Sequence, residues 1–168
     1  MTYPPPTLKE AAAEIAYDPI DGKFSRITPT RKKAIGEDAT MGSGNGYHFL
    51  LVKGKNVLAH RIAWLLIHGE YPPLGTAIDH INGIPTDNRL ENIRIATQSQ
   101  NCQNKRAGKN SKSGIKGVSF SFERRKWCAF IGLPTGKNKI LGRFNSMDEA
   151  VAAYRRAAVQ LFGEFARP

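Results

Sequence analysis

The sequence predicts an α+β fold in two units, and three observations predict it. Short strand-like runs and short helical runs alternate through the first part of the chain. The last part carries three strand-like segments followed by one amphipathic helix. Between them lies a polar stretch, "NKRAGKNSKSG", rich in Lys, Asn, Ser and Gly and without apolar periodicity. The expected division is residues 1–103, a basic linker 104–112, and residues 113–168.

The elements follow in order. "TLKEAAAEIA" (7–16) reads as a short helix, with Thr7 as cap and Glu10 three residues on, the pattern of a capping box. "YDPIDGKFSRI" (17–27) reads as strand, turn and strand, turning at Asp21-Gly22. "RKKAIGEDATMGSGNG" (31–46) is polar and glycine-rich, a loop, and its basic run 31–33 is either a solvated surface or a phosphate contact. "YHFLLVKGKNVLAHRIAWLLIHG" (47–69) gives a hairpin turned near Gly54 and then a short helix, with Trp64, Leu65 and Ile67 as its apolar residues. "TAIDHI" (76–81) and "IRIAT" (93–97) are strands joined by a loop. "TQSQNCQNKR" (97–106) is a helix beginning at Thr97 or Ser99.

In the last part, "IKGVSFSF", "KWCAFIGL" and "NKILGRFN" are strands separated by turns at 123–125 and 134–137. Ser146 and Glu149 form a second capping box. Ala150, Val151, Tyr154, Ala157, Ala158, Leu161 and Phe162 make one apolar stripe, and Gly163 stops the helix. This part is expected to be a three-stranded antiparallel sheet packed on one helix.

Charge narrows the partners. The chain has 168 residues and a formal net charge of +11. Residues 1–103 hold 11 basic and 10 acidic side chains, whereas residues 104–168 hold 14 and 4, a net +10. A basic block of that kind points to a phosphate backbone. No apolar run reaches the ~20 residues of a membrane helix, and the first residues lack a basic, then apolar, secretory pattern. The two cysteines, Cys102 and Cys128, are too few for a disulfide framework and read as reduced thiols of an intracellular protein.

The chemistry concentrates in "AIDHINGIPTDNRLENIRIATQSQN" (77–101). With Asp79-His80 at the end of one strand and Asn101 on the following helix, a carboxylate and an amide oxygen can converge. Such a hard, oxygen-only set suits Mg²⁺ or Mn²⁺, with water and substrate phosphate completing the shell. A neighbouring histidine can take a proton from an attacking water. One tension stands: adjacent strand residues point to opposite faces, so the pair serves one site only if the strand bends or ends there. His60, in "AHRIAW", is expected to be a packing residue, with contact to the site as the alternative. Asn82 and Asn88 are expected to be turn-tolerant loop residues.

The stretch resembles the HNH nuclease family, in its phage and intron homing-endonuclease branch. Asp79-His80 begins the motif, Asn92 follows twelve residues after His80, and Asn101 nine after that. "DNRLENIRIAT" and the upstream "LAHRIAWLLIHGEYP" resemble the same branch, so the likeness covers most of residues 17–104. It implies a ββα-metal, or His-Me finger, fold. It also implies His80 as general base, Asp79 and Asn101 as metal ligands, and Asn92 as the residue that fixes the catalytic loop. Asn rather than His at the last position favours Mg²⁺ or Mn²⁺ over zinc.

Residues 113–167 resemble the plant Apetala-type, or ethylene-response-factor, DNA-binding domain, on Gly117-Val118, Trp127 with its apolar run, "LGRF", "DEAVAAYRRAA" and "FGEFA". The resemblance implies a sheet face laid in the major groove of double-stranded DNA, where base pairs are distinguishable. The expected DNA-facing residues are Lys116, Arg124, Arg125, Lys126, Trp127, Lys139 and Arg143. Trp127 lies either over the sugar-phosphate backbone or in the core. The plant target does not transfer, because Ser119 replaces the arginine of that pattern. Together these readings predict a metal-dependent DNA endonuclease of homing or phage-associated type, without a small-molecule cofactor, acting in a prokaryotic or phage-infected cell. The alternative is a DNA-binding regulator with an inactive nuclease fold.

Overall fold

Thr7 opens the first helix as its side chain and Glu10 predict. Thr7 Oγ1 accepts from Glu10 N (3.3 Å) and Glu10 Oε2 accepts from Thr7 N (2.8 Å), and α1 runs Leu8–Glu14. The computed structural model describes residues 4–42, 46–105, 107–108 and 111–167. Strands β1 (Ile15–Tyr17) and β2 (Phe24–Arg26) pair antiparallel, Ile15 opposite Arg26. The turn between them passes through Gly22 at φ 73°. Strand β3 (Thr40–Gly42) lies inside the stretch expected to be only loop. Its pairing with β4, Thr40 opposite Leu50, makes it a strand, since its own pattern shows no alternation. Lys33 Nζ donates to Thr40 O (2.8 Å) and to Asp38 O, so part of the basic run 31–33 braces this loop.

β4 (His48–Val52) and β5 (Lys55–Leu58) form the second hairpin. Its two turn residues, Lys53 and Gly54, both have positive φ (49° and 72°), the conformation a tight right-twisted hairpin demands. The chain then enters α2 (Ala59–His68), which stops at Gly69 in the left-handed region. The buried face of α2 is Ala59, His60, Ile62, Ala63 and Leu65. Ile67, expected among the apolar residues of this helix, is 42% exposed although it follows buried Ala63 by four residues, because it lies in the last turn before the helix ends at His68. With Ile15, Phe24, Leu50 and Val52 these residues form one core. β6 (Thr76–His80) and β7 (Ile93–Thr97) make a separate two-stranded sheet, linked by a loop that ends in a single 3₁₀ turn, Leu90–Asn92.

The chain divides into two compact units, residues 1–96 and 97–168. The division falls ahead of the expected linker, so the short helix after β7 groups with the second unit. This helix, α3 (Gln98–Gln103), carries a capping box between Thr97 and Gln100. Of the stretch 104–112, residues 106, 109 and 110 lie outside the described residues. β8 (Val118–Ser121), β9 (Lys126–Gly132) and β10 (Asn138–Phe144) form an antiparallel sheet in the order β10-β9-β8. The helix α4 (Met147–Phe162), capped by Ser146 and Glu149, packs Ala150, Tyr154 and Ala158 against Val118, Ala129 and Ile131. Gly117 permits that packing: a Cβ there would stand 2.4 Å from Phe130 O and from the Tyr154 ring. Leu161, expected in the core stripe, is 43% exposed; the buried stripe ends at Ala158, with Phe162 packed at its margin.

Candidate active site

The loop between β6 and β7 is held by its own amides. Asn92 Oδ1 accepts from Asn82 N (3.0 Å), and Asn92 Nδ2 donates to Asn82 Oδ1 (3.1 Å) and to Asp87 O (2.7 Å). Asn82 Nδ2 donates to Asp87 Oδ2 (2.7 Å), and Arg89 forks onto Asp87 through Nε and Nη2, both at 2.9 Å. That hydrogen-bonded guanidinium holds the Asp87 carboxyl down at about 2. The β1–β2 hairpin presses on the same loop. Tyr17 Oη donates to Asn88 O (2.7 Å), Leu90 N donates to Pro19 O (3.0 Å), and a Cβ on Gly22 would lie 2.5 Å from Arg89 N. Only glycine allows that approach.

What this bracing fixes is Asn88. Its side chain is 1% exposed, its Nδ2 donates to Thr86 O (3.3 Å), and its Oδ1 lies 3.2 Å from His80 Nε2. An amide oxygen only accepts, so Nε2 carries the ring proton and Nδ1 carries the lone pair. His80 is the last residue of β6 and is 5% exposed. Burial pushes its pKa below the usual histidine value, against the upward pull of the Asn88 bond, Asp79 and Asp87. The imidazole is therefore neutral at pH 7 and able to accept a proton. Asn88, expected to be only a loop residue, is thus the partner of His80, while Asn92 acts on the loop. The sequence signal available was a third asparagine in the 82–92 loop, which nothing in its spacing distinguished.

The other wall of His80 is aromatic. The His60 ring on α2 meets it edge to face at 5.2 Å, and Tyr47 lies 5.5 Å from His60 and 6.0 Å from His80. His60 is 6% exposed, and its Nδ1 has no hydrogen-bond partner among the described residues. Burial, with His80 and Arg61 adding to it, pushes its pKa down to about 3.

Asp79 points to different partners from His80, as alternation along a strand requires. It is 3% exposed, and its Oδ2 lies 3.0 Å from both Nε and Nη2 of Arg94 on β7. Arg94 is the second residue that sequence reasoning missed; it sits across the β6–β7 pair, fifteen residues away. Asn101 lies on α3, in the second unit, half-buried. Among the described residues no three His, Cys, Asp or Glu side chains converge as a metal-binding group. The oxygen donors of this stretch, the Asp79 carboxylate and the Asn101 amide, are hard ligands. This chemistry fits Mg²⁺ or Mn²⁺, which keep water and phosphate in their shells.

The residues expected to face DNA do not share one surface. Lys116 is half-buried, and its Nζ donates to Cys102 O (3.0 Å) and Gln103 O (2.7 Å), closing the C-terminal end of α3. Burial lowers its pKa. A register shift between Ile140 and Gly142 separates the two basic residues of β10. Arg143 stands opposite Cys128, whereas Lys139 stands opposite Ile131, whose side chain is in the core under α4. The bulge therefore sends two residues of equal parity to opposite faces. Trp127 packs on the core and edge-on to Phe120. Lys126 shares the face of Arg143 and donates to Asn145 Oδ1 (2.8 Å). Arg124 and Arg125 are exposed in the β8–β9 turn, Arg125 at φ 49°.

Among known proteins, a family match falls on the middle of the chain. The HNH endonuclease family matches residues 57–103, from β5 through α3. Protein 3.8 of Escherichia phage T7 is 38% identical over 110 residues, 64% of this chain and 87% of that protein. An uncharacterized HNH endonuclease, L560 of Acanthamoeba polyphaga mimivirus, is 31% identical over 124 residues, 74% of this chain and 63% of that protein. No solved structure matches. The matched stretch contains Asp79, His80, Asn88, Asn92 and Asn101, so these residues lie in an HNH endonuclease domain carried by the chain.

Proposed function

We propose that the protein is a divalent-metal-dependent DNA endonuclease of the homing or phage-associated kind, with His80 as its general base. The observation that carries this reading is the buried, neutral His80, whose Nε2–H is engaged by Asn88 within the family-matched stretch. In the proposed reaction a water loses a proton to the His80 imidazole as its oxygen bonds to the scissile phosphorus, and the bond to the 3′ oxygen breaks. Asn88 keeps the accepting lone pair on Nδ1, and Asn92 holds the loop that carries Asn88. Asp79 and Asn101 are the proposed oxygen donors to Mg²⁺ or Mn²⁺. What the bound cation supplies there is positive charge for the phosphate and the leaving oxygen. Arg94 fixes the orientation of the Asp79 carboxylate.

The second unit is proposed as the DNA-holding module, on the strength of its net +10 charge over residues 104–168, of Lys126 and Arg143 on one sheet face, and of the exposed turn residues Arg124 and Arg125. The test is nicking of supercoiled plasmid with Mg²⁺, with Mn²⁺ and with chelator. His80→Ala is expected to lower the metal-dependent rate by ~10²–10⁴-fold, the range a general base contributes, with duplex binding unchanged. Nicking that survives chelation, or a His80→Ala rate equal to the parent, overturns the assignment. Binding without any cleavage by the parent would favour the regulator reading instead.

A further inference from the structure

The second unit carries an aromatic cluster that the catalytic reading leaves unused. Phe120 on β8 and Phe122 just beyond it sit edge to face with ring centres 5.2 Å apart, and Trp127 on β9 meets Phe120 at 5.2 Å. These rings are not a sealed core: Phe122 is 75% exposed and Phe120 37%. Val118, on the same face of the same strand, is buried under α4, so the face changes from core to surface within two residues. A cleft of about 860 Å³ opens beside the rings, lined also by Ser111, Lys112 and Ser113. That volume lies within the range of small-ligand sites, ~300–1,000 Å³. Lys112 Nζ stands over the Phe122 ring, 5.9 Å from its centre.

We propose that this cleft binds unpaired nucleobases of a single-stranded nucleic acid, a base stacking on Phe122 with Phe120 beside it while Lys112 meets the phosphate. Charge selects that occupant over an apolar peptide. The surrounding segment, residues 104–168, carries a net +10, and a cleft that joins exposed rings to cations matches a ligand that alternates flat apolar faces with anions. Phe122 is three-quarters exposed, so its ring is accessible to a stacking partner, which a buried ring could not offer. The binding does not depend on the His80 chemistry and is measured with metal chelated, so its failure and that of the nuclease reading are separable.

The experiment uses the full chain in the presence of chelator and follows the anisotropy of labelled oligonucleotides. The probes are a single-stranded oligothymidylate of about 12 nucleotides, within the ~4–16 that such sites cover, an abasic strand of equal length, and a duplex of equal length. Phe122→Ala, at a surface position where truncation leaves the fold intact, is expected to weaken oligothymidylate binding by roughly 5- to 150-fold. Abasic and duplex binding are expected to stay at the parent level, and Phe122→Trp to retain the tight binding. Lys112→Gln should flatten the slope of log affinity against log salt by about 0.7 on the single strand. A Phe122→Ala chain that binds oligothymidylate like the parent overturns the proposal. So does a variant that loses as much on the abasic strand or the duplex.

Discussion

His60 makes the N-terminal unit acid-sensitive, and the size of the effect follows from its burial. The imidazole is 6% exposed and its pKa is pushed down to about 3, whereas an unfolded histidine titrates near 6.5. Between those values the unfolded chain binds a proton that the folded chain does not, so unfolding gains as pH falls. Stability is whole above pH 6.5 and is lost progressively down to about pH 3. From pH 7 to pH 5 the linkage amounts to about 2 kcal/mol. His60→Phe keeps a flat ring and removes the titration. Any packing cost of the larger ring is independent of pH and cancels in the difference between the two pH values. The assay is urea unfolding at pH 7 and pH 5, read by Trp64 fluorescence in a Trp127→Phe background so that the N-terminal unit reports alone. The parent is expected to lose about 2 kcal/mol more than the variant, a shift of roughly 1 M in midpoint at an m-value of about 2 kcal/mol/M. Equal losses in the two chains would refute the buried neutral His60.

Asn88→Ala is expected to lower the metal-dependent nicking rate by about 10- to 100-fold with little change in metal requirement, because it frees the His80 ring without touching the proposed oxygen donors; a rate equal to the parent would remove Asn88 from the site. Asp79→Ala and Asn101→Ala are each expected to raise the Mg²⁺ or Mn²⁺ concentration needed for half-maximal nicking, and a metal titration unchanged in both would place the donors elsewhere. Gly117→Ala should destabilise the second unit by at least about 2 kcal/mol, since it forces a Cβ at φ 68° to within 2.4 Å of Phe130 O and the Tyr154 ring. Trp127 fluorescence in a Trp64→Phe background during urea unfolding reads that loss, and an unshifted midpoint contradicts the close approach.

Local elements were legible in the sequence because their causes are local. Thr7 with Glu10 and Ser146 with Glu149 sit three residues apart, and each pair closes its capping box within one turn. Asp21-Gly22 and Gly54 mark turns through backbone freedom that the residue type itself confers. The strands of the second unit follow from their own apolar runs. What the sequence could not decide depended on partners distant along the chain. β3 is a strand because β4 lies beside it. Leu161 and Ile67 are apolar and in register with the buried residues of their helices, yet both lie in the last turn and stay exposed. Lys116 reads from the sequence as DNA-facing, and its Nζ donates to Cys102 O and Gln103 O at the end of α3, since charge alone does not say which oxygen lies within reach. The candidate site divides in the same way. The spacing of Asp79, His80, Asn92 and Asn101 can be read along the chain. The choice of Asn88 as the partner of His80 cannot, because it is set by a hairpin that reaches Asn88 from Tyr17, 71 residues away. Spacing encodes what one element can present; only tertiary packing, by removing water and closing distances between remote segments, decides which of those groups meet and which remain neutral.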